Sequence, residues 1–248
     1  MTNGITAYWL EQSDTNVAAG DYWLSAGEKL RLAGLRFEKR RREWRLGRWT
    51  AKFALASCLD LPADARSLGD IEIRNAPSGA PQAFFFNQRS DISISISHRA
   101  GQALCVVGLS QTSLGCDLEV VELRDHSFIA DFFTVNEQKL VSQTRADQQP
   151  LLTTLVWSAK ESALKALQVG LRVDTRLLDV SSVHATSISC EQTLGDDCAA
   201  WSPLSIGFRG ERILRGCWRC AQDMVRTVVF APLHTDVELE RDSNARAA

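Results

Sequence analysis

A chain of 248 residues is long enough for one large domain or two small ones, each with a hydrophobic core. Hydrophobic residues make up 45% of it, charged residues 23%, and the formal net charge is −2, so nothing general argues for binding nucleic acid or a membrane. The opening residues lack the pattern of a signal peptide, and no apolar run reaches the length of a membrane span. Seven cysteines at irregular spacing favour free thiols over disulfides, and together these features predict a cytoplasmic protein.

The first part of the chain is predicted to form a strand at 4–10 and helices at 24–35 and 38–59. The second helix is the most basic stretch of the sequence. It contains Arg40, Arg41, Arg42, Arg45, Arg48 and Lys52. Such a run is usually a solvated face, and nucleic acid binding is a second interpretation, but the sequence shows no further basic patches with interleaved aromatic residues. Arginine side chains also suit a small ligand with several phosphates.

A proline-flanked turn at 77–81 is followed by an antiparallel meander, with strands predicted at 91–97, 103–109 and 114–121. The first of these strands ends at Ser97 and His98. In the last one, Asp117 and Glu119 share a face, because successive side chains of a strand alternate. Two such carboxylates repel each other unless a cation lies between them or one is protonated, and with a third carboxylate they suit Mg²⁺. An isolated Asp-x-Glu is usually only a polar strand edge.

The segment 151–170 is predicted to be a helix, because apolar residues recur at helical spacing and a glycine ends it. Trp157, Glu161 and Lys165 are each four residues apart and therefore form a column beside Lys160. Taken alone, this is an ordinary amphipathic helix with a solvated Glu–Lys pair, but Glu161 is also the natural third carboxylate for the acidic pair. Further strands are predicted at 204–208, 211–218 and 225–232. The order of the elements indicates an α+β fold, and we identify no sequence repeat.

Three stretches together resemble the 4′-phosphopantetheinyl transferases: GCDLE at 115–119, FFTVNEQ at 132–138 and WSAKESALKAL at 157–167. The first and last look like the signature pair of that family, and the second falls where the family has an aromatic-rich segment ending in a glutamate. The resemblance is closest to the longer, surfactin-synthetase type, whose single chain contains two related halves. It implies an α+β fold of two similarly built α/β halves with antiparallel sheets packed on helices. The implied division is residues 1–114 for coenzyme A, 115–236 for metal and catalysis, and a frayed tail at 237–248.

The resemblance implies a Mg²⁺-dependent (or Mn²⁺-dependent) enzyme that moves the phosphopantetheine arm of coenzyme A to a serine of an apo acyl, polyketide or peptidyl carrier protein. Adenosine 3′,5′-bisphosphate would be released, and we expect a monomer with no nucleic acid or membrane partner. Two other classes remain open. A catalytically silent carrier-binding module of the same fold is disfavoured by the intact Asp117, Glu161 and Lys165. Another Mg²⁺-dependent nucleotide enzyme is disfavoured because the sequence has no Gly-x-x-x-x-Gly-Lys loop.

The resemblance also implies roles for individual residues. The metal ligands would be Asp117, Glu119 and Glu161. The catalytic residues would be Asp117, Lys165 at the leaving phosphate, and Glu161 as general base, metal ligand or both. The contacts to coenzyme A would come from Arg41, Arg42, Arg48, Gly79, Ala80, Pro81, Ser97, His98, Asp117, Lys160, Glu161 and Lys165. Ala80 stands where the family often has lysine, so one expected phosphate contact is missing and more must come from the arginine helix.

Overall fold

Two long helices, each apolar along one side, cover the outer faces of two β-sheets that pack against each other. The structure is a computed structural model, which describes residues 5–108, 112–181, 188–192, 201–210 and 212–232. The helices are α1 (Ala26–Ala33), α2 (Glu38–Cys58), α3 (Ala65–Asp70), α4 (His126–Phe132), α5 (Val135–Gln143) and α6 (Gln149–Ala166). The fold is α+β with antiparallel sheets packed on helices, which confirms the fold class predicted from the sequence.

The described strands form three sheets. The strands are β1 (Ile5–Ser13), β2 (Ile71–Asn75), β3 (Pro81–Phe85), β4 (Gln88–Arg89), β5 (Ser93–Arg99), β6 (Gln102–Gly108), β7 (Thr112–Val120), β8 (Leu178–Ser181), β9 (Ile188–Gln192), β10 (Ser202–Phe208), β11 (Arg212–Ala221) and β12 (Met224–Pro232). The first sheet has the order β5-β6-β1-β9, the second β7-β12-β11-β10-β8 and the third β2-β3-β4. All neighbours are antiparallel except β1 and β9.

The core is layered because β1 and β6 are buried on both faces. Leu10 and Val107 point towards α2 and pack there with Ala54 and Leu55. Their neighbours in the strands point the other way, towards the second sheet. This inner layer contains Ala7, Trp9, Leu104, Val106, Cys116, Leu118, Val228 and Phe230. The second sheet is covered in turn by α6, so the order through the molecule is helix, sheet, sheet, helix.

Several predicted boundaries move by a few residues. The strand β5 continues to Arg99, and the turn is made by Ala100 and Gly101, both at positive φ (50° and 75°), so Ser97 and His98 lie within the strand and not at its end. The strand β7 begins at Thr112, before the predicted domain boundary at 115, and β9 adds a strand from the second predicted domain to the first sheet. The predicted tail at 237–248 lies outside the described residues.

Five cysteines of the described residues are not in disulfides. Cys58, Cys105, Cys116, Cys217 and Cys220 are free thiols. The Cys-x-x-Cys pair lies along β11. Within the described ranges, no helix is both long enough and apolar enough to cross a lipid bilayer.

Gly115 lets α6 lie directly on β7. A Cβ atom at this position would collide with the backbone oxygen of Ser162 and the backbone nitrogen of Ala166. Because both are backbone atoms, no side-chain rotation can relieve the clash. The glycine of GCDLE therefore sets the distance between the strand that carries Asp117 and the helix that carries Lys165.

We expect Gly115→Ala to destabilise the protein by about 1–3 kcal/mol or more, as overpacking in a tight core does. Urea denaturation followed by circular dichroism measures this free energy of unfolding. The matched control is Gly69→Ala, where an added Cβ meets nothing within 4 Å in α3. That change should be neutral or stabilising, because alanine is the better helix former. Equal stability of both variants would contradict the close packing at Gly115.

Candidate active site between the two sheets

The strands β5 and β7 are the facing edges of the two large sheets, and they bring Ser97 and Asp117 together. The Ser97 hydroxyl donates to Asp117 Oδ1 at 2.8 Å. From α6, Lys165 Nζ reaches the same oxygen at 2.8 Å and also donates to Ser97 Oγ at 3.2 Å and to the backbone oxygen of Cys116 at 2.9 Å. Asp117 is only 4% exposed. Three of the predicted site residues therefore meet in one buried polar cluster.

The charge of Lys165 is stabilised by this arrangement. Burial alone would lower the pKa of its ammonium group, but Asp117, Cys116 and Glu161 together outweigh burial and raise the pKa above the ordinary value. Lys165 is consequently a cation at neutral pH.

Glu161 lies one helical turn before Lys165 and is the second acid of the cluster. Burial raises the pKa of its carboxyl group; Lys165 opposes this shift, and the carboxylates of Asp117 and Glu119 add to it. A carboxyl group with a raised pKa holds a proton more tightly than a solvated one, so it is the better proton acceptor in this site.

Glu119 is held by two arginines that the sequence did not indicate. Arg99 Nε lies 3.3 Å from Glu119 Oε2, and Arg124 approaches the same oxygen at 3.5 Å. Burial and the Asp117 charge still leave the pKa of Glu119 raised. Neither arginine belongs to a motif, and they reach Glu119 only because β5 and the segment after β7 fold over it.

The three acids predicted as metal ligands lie near one another without forming a closed cage. Among the described residues, no three His, Cys, Asp or Glu side chains form a group that could hold a metal ion. Asp117 Oδ2, however, is buried and has no hydrogen-bond partner in the described structure. An unsatisfied carboxylate oxygen beside Glu119 and Glu161 is the donor chemistry that Mg²⁺ and Mn²⁺ prefer.

A cavity of about 560 Å³ lies next to this cluster, between α1, α2, β2 and the turn at 77–81. Four predicted residues line it. They are Arg48, Gly79, Pro81 and His98. Three further arginines line it that were not predicted to contact coenzyme A: one belongs to the basic helix α2, and the others come from α1 and β2. They are Arg31, Arg40 and Arg74. Since Glu28, Glu43 and Glu72 also line the cavity, its walls carry charges of both signs.

Arg48 and His98 both line this cavity. Arg48 donates to Asn75 Oδ1 at 3.1 Å and its guanidinium lies 5.0 Å from the centre of the Trp44 ring. Burial lowers the pKa of the Arg48 guanidinium, and Glu28 partly offsets this. The pKa of His98 is also lowered, first by burial and then by Arg40 and Lys165 against the opposing charge of Glu43. His98 is therefore a neutral imidazole at pH 7.

A second cavity, of about 740 Å³, shares Gly79, Pro81 and Ile96 with the first. It is lined by the alternating serines and isoleucines of β5, together with Ala80 and Lys165. The cluster around Asp117 therefore adjoins one highly charged cavity and one of mixed polarity.

Three predicted site residues do not join this group. Arg42 is exposed and pairs with Asp14 at 2.8 Å, and Arg41 lines neither cavity. Lys160 is fully buried. It binds Glu137 Oε2 at 2.7 Å and the backbone oxygens of Phe132, Thr175 and Leu178. Its ammonium group is enclosed by these four oxygens, so this geometry does not support the predicted contact between Lys160 and a phosphate.

Comparison with known proteins gives one family. Residues 113–214 match the sequence model of the 4′-phosphopantetheinyl transferase superfamily. That stretch contains Asp117, Glu119, Glu161 and Lys165, whereas the arginine-lined cavity precedes it. No curated protein matches the chain in a sequence search.

Among solved structures, the chain is similar to a holo-(acyl-carrier-protein) synthase from Bacillus anthracis str. Ames, determined in complex with CoA (3′,5′-ADP). The identity is 22% and the TM-score 0.35, over 42% of this chain and 93% of that chain. A likeness of this degree carries no inference about activity.

Proposed function

We propose that the protein transfers the 4′-phosphopantetheine arm of coenzyme A to a serine of an apo carrier protein. The observation that carries the proposal is the buried cluster of Ser97, Asp117 and Lys165, with Glu161 at a raised pKa, directly beside an arginine-lined cavity. The match of residues 113–214 to the transferase superfamily supports the same reaction class.

Coenzyme A fits the order of the two cavities. Its 3′-phosphoadenosine carries the densest negative charge and would enter the first cavity, where Arg48 and the neutral His98 can bind phosphate oxygens. The pyrophosphate would then lie against Ser97 and Lys165. The pantetheine arm alternates amides with apolar groups, and the second cavity, with its alternating serines and isoleucines, suits that chemistry.

A divalent metal ion fits the acids of the site. Asp117 Oδ2, Glu119 and Glu161 would hold Mg²⁺ or Mn²⁺, which needs only one or two protein carboxylates when phosphates supply the other ligands. When bound, the ion would neutralise charge that develops on the pyrophosphate. Ser97 and Lys165 already hold Asp117 Oδ1, so the metal would use the other oxygen.

The chain's own residues account for the remaining chemistry. The carrier serine oxygen attacks the phosphorus that bears the pantetheine arm, and the bond from that phosphorus to the bridging oxygen breaks. Glu161 takes the serine proton, since its raised pKa makes it an effective base. Lys165 stabilises the charge on the departing adenosine 3′,5′-bisphosphate.

The direct test is mass spectrometry of apo carrier proteins from fatty acid, polyketide and peptide synthesis after incubation with the protein, coenzyme A and Mg²⁺. We expect a mass increase of one phosphopantetheine group on the serine of at least one carrier. Binding of a carrier without a mass change would instead indicate a catalytically silent carrier-binding module.

Asp117→Asn should abolish transfer, because a neutral amide replaces the charge that orders Lys165 and would bind the metal. Loss of such charge stabilisation costs several kcal/mol of the barrier. Asparagine is preferred over alanine because its amide oxygen can still accept hydrogen bonds from Ser97 and Lys165, whereas alanine would leave both donors without this buried partner. Single-turnover transfer measures the effect, with Asp60→Asn at an exposed turn as the control. Normal turnover by folded Asp117→Asn would refute its role.

Arg48→Ala should raise the KM for coenzyme A far more than that for dephospho-coenzyme A, if Arg48 binds the 3′-phosphate. A charge-assisted phosphate contact contributes about 1.5–3 kcal/mol, or roughly ten- to a hundredfold in KM. The control is Arg145→Ala, whose side chain is 77% exposed and pairs with Asp147 at the surface. Equal losses with both substrates would place Arg48 on the pyrophosphate or outside the site.

Glu161→Gln distinguishes a base from a metal ligand. If Glu161 is the base, turnover at saturating Mg²⁺ should fall by about 10²–10⁴-fold while coenzyme A binding is unchanged. The native rate should rise with pH through the raised pKa of Glu161, because only the carboxylate accepts a proton, and this rise should vanish in the variant. Restoration of the full rate by excess Mg²⁺ would identify Glu161 as a ligand only.

A further inference from the structure

A buried ion pair in the first half of the chain joins α1 to α2. Lys52 of α2 and Glu28 of α1 are 0% and 2% exposed, and Lys52 Nζ lies 2.5 Å from Glu28 Oε2. Glu28 also closes the capping box of α1 with Ser25 and accepts the backbone amide of Ile73 in β2 at 3.1 Å. The remaining hydrogen bonds of the Lys52 ammonium go to the backbone oxygens of Trp23 and Leu68.

The second half repeats this arrangement, with one more backbone oxygen on its lysine. Lys160 of α6 and Glu137 of α5 are 0% and 1% exposed and lie 2.7 Å apart. Glu137 closes the capping box of α5 with Thr134 and accepts the backbone amide of Val180 in β8 at 2.7 Å. The Lys160 ammonium is completed by backbone oxygens as well. They belong to Phe132, Thr175 and Leu178.

The sequence around the two lysines repeats too. WTAK at 49–52 corresponds to WSAK at 157–160, a short repeat that we did not identify from the sequence alone. The sheets agree, because β1 pairs with β6 and β6 with β5, while β7 pairs with β12 and β12 with β11. The two ion pairs therefore occupy equivalent places in two similarly built units.

Two copies of a buried ion pair need an explanation other than stability. The cost of desolvating both charges largely cancels their attraction, so such a pair adds little net stability over apolar side chains. What a pair with satisfied hydrogen bonds does supply is a single orientation of the helix that carries it. Lys52 is bound by three oxygens and Lys160 by four, so rotation of either helix would leave a buried ammonium group unpaired.

Each pair lies next to a group of the proposed site. In α6, Glu161 follows Lys160 directly and Lys165 comes five residues later. In α2, Arg48 is one turn before Lys52, and Glu28 Oε1 lies 4.0 Å from Arg48 Nε. Because each helical residue is turned by a fixed angle from the one before, fixing the lysine fixes the direction of these side chains.

We propose that the Glu137–Lys160 and Glu28–Lys52 pairs are twin positioning pairs with different kinetic consequences. The first orients α6 so that Glu161 and Lys165 face Asp117, and it serves the chemical step. The second orients α2 so that Arg48 faces the first cavity, and it serves coenzyme A binding. The inference rests on the proposed transferase function.

The experiment makes the same near-isosteric, neutral replacement in both pairs: Glu137→Gln with Lys160→Met, and Glu28→Gln with Lys52→Met. Each double variant removes both buried charges together and is the matched control for the other. Transfer kinetics and calorimetric binding of coenzyme A are measured with thermal melting of both proteins. The milder replacements Lys160→Arg and Lys52→Arg are measured in parallel and decide the question for any double variant that does not fold.

For the pair in α6 we expect kcat to fall by about a hundredfold with coenzyme A affinity unchanged, because a small misplacement of catalytic groups slows a reaction to this extent. For the pair in α2 we expect a loss of about tenfold or more in coenzyme A affinity, with kcat unchanged at saturation. The same parameter changing in both variants, or lower melting temperatures with normal kinetics, would overturn the proposal. If the native protein shows no transfer, the proposed function fails, but a selective loss of coenzyme A binding in the α2 variant would still support the positioning role of that pair.

Discussion

The Asp117 carboxylate is the interaction on which the site depends, because it joins elements from three parts of the chain. Its Oδ1 accepts from Ser97 of the first sheet and from Lys165 of α6, while Asp117 itself belongs to the second sheet. A buried carboxylate is costly unless it is paired, so this one charge fixes the relative placement of both sheets and the helix at their junction. Gly115, two residues earlier, makes the contact geometrically available by admitting the α6 backbone.

Two regions of different charge adjoin Asp117. At one side the carboxyls of Glu119 and Glu161 have raised pKa values, from burial and from their proximity to Asp117. At the other side lies the arginine-lined cavity, with His98 kept neutral by burial and by nearby cations. Coenzyme A carries a 3′-phosphate and a pyrophosphate on opposite sides of its ribose, so it can reach both regions, whereas a compact anion would use only one. This is the physical basis for proposing coenzyme A as the substrate.

The buried lysines show how a helix can be oriented at little gain in stability. Lys52 and Lys160 each look, in sequence, like another basic residue of an amphipathic helix, yet both are enclosed by oxygens. Burial lowers the pKa of both ammonium groups, and the partner glutamates oppose that shift. The outcome is a fixed direction for the neighbouring side chains rather than a contact with solvent or ligand.

The sequence by itself determined the fold class, the long helices and the alternating strands, because these follow from local periodicity and capping. It also singled out Asp117, Glu161 and Lys165, since their spacing places them on defined faces of β7 and α6. Only the tertiary structure decided which charged side chains lie at the site. Lys160 and Arg42 have the same residue types as Lys165 and Arg48, but one is enclosed and the other exposed. Arg31, Arg74, Arg99 and Arg124 reach the site from separate elements. Local patterns carry no information on such long-range neighbours, because burial and pairing depend on how the sheets and helices pack.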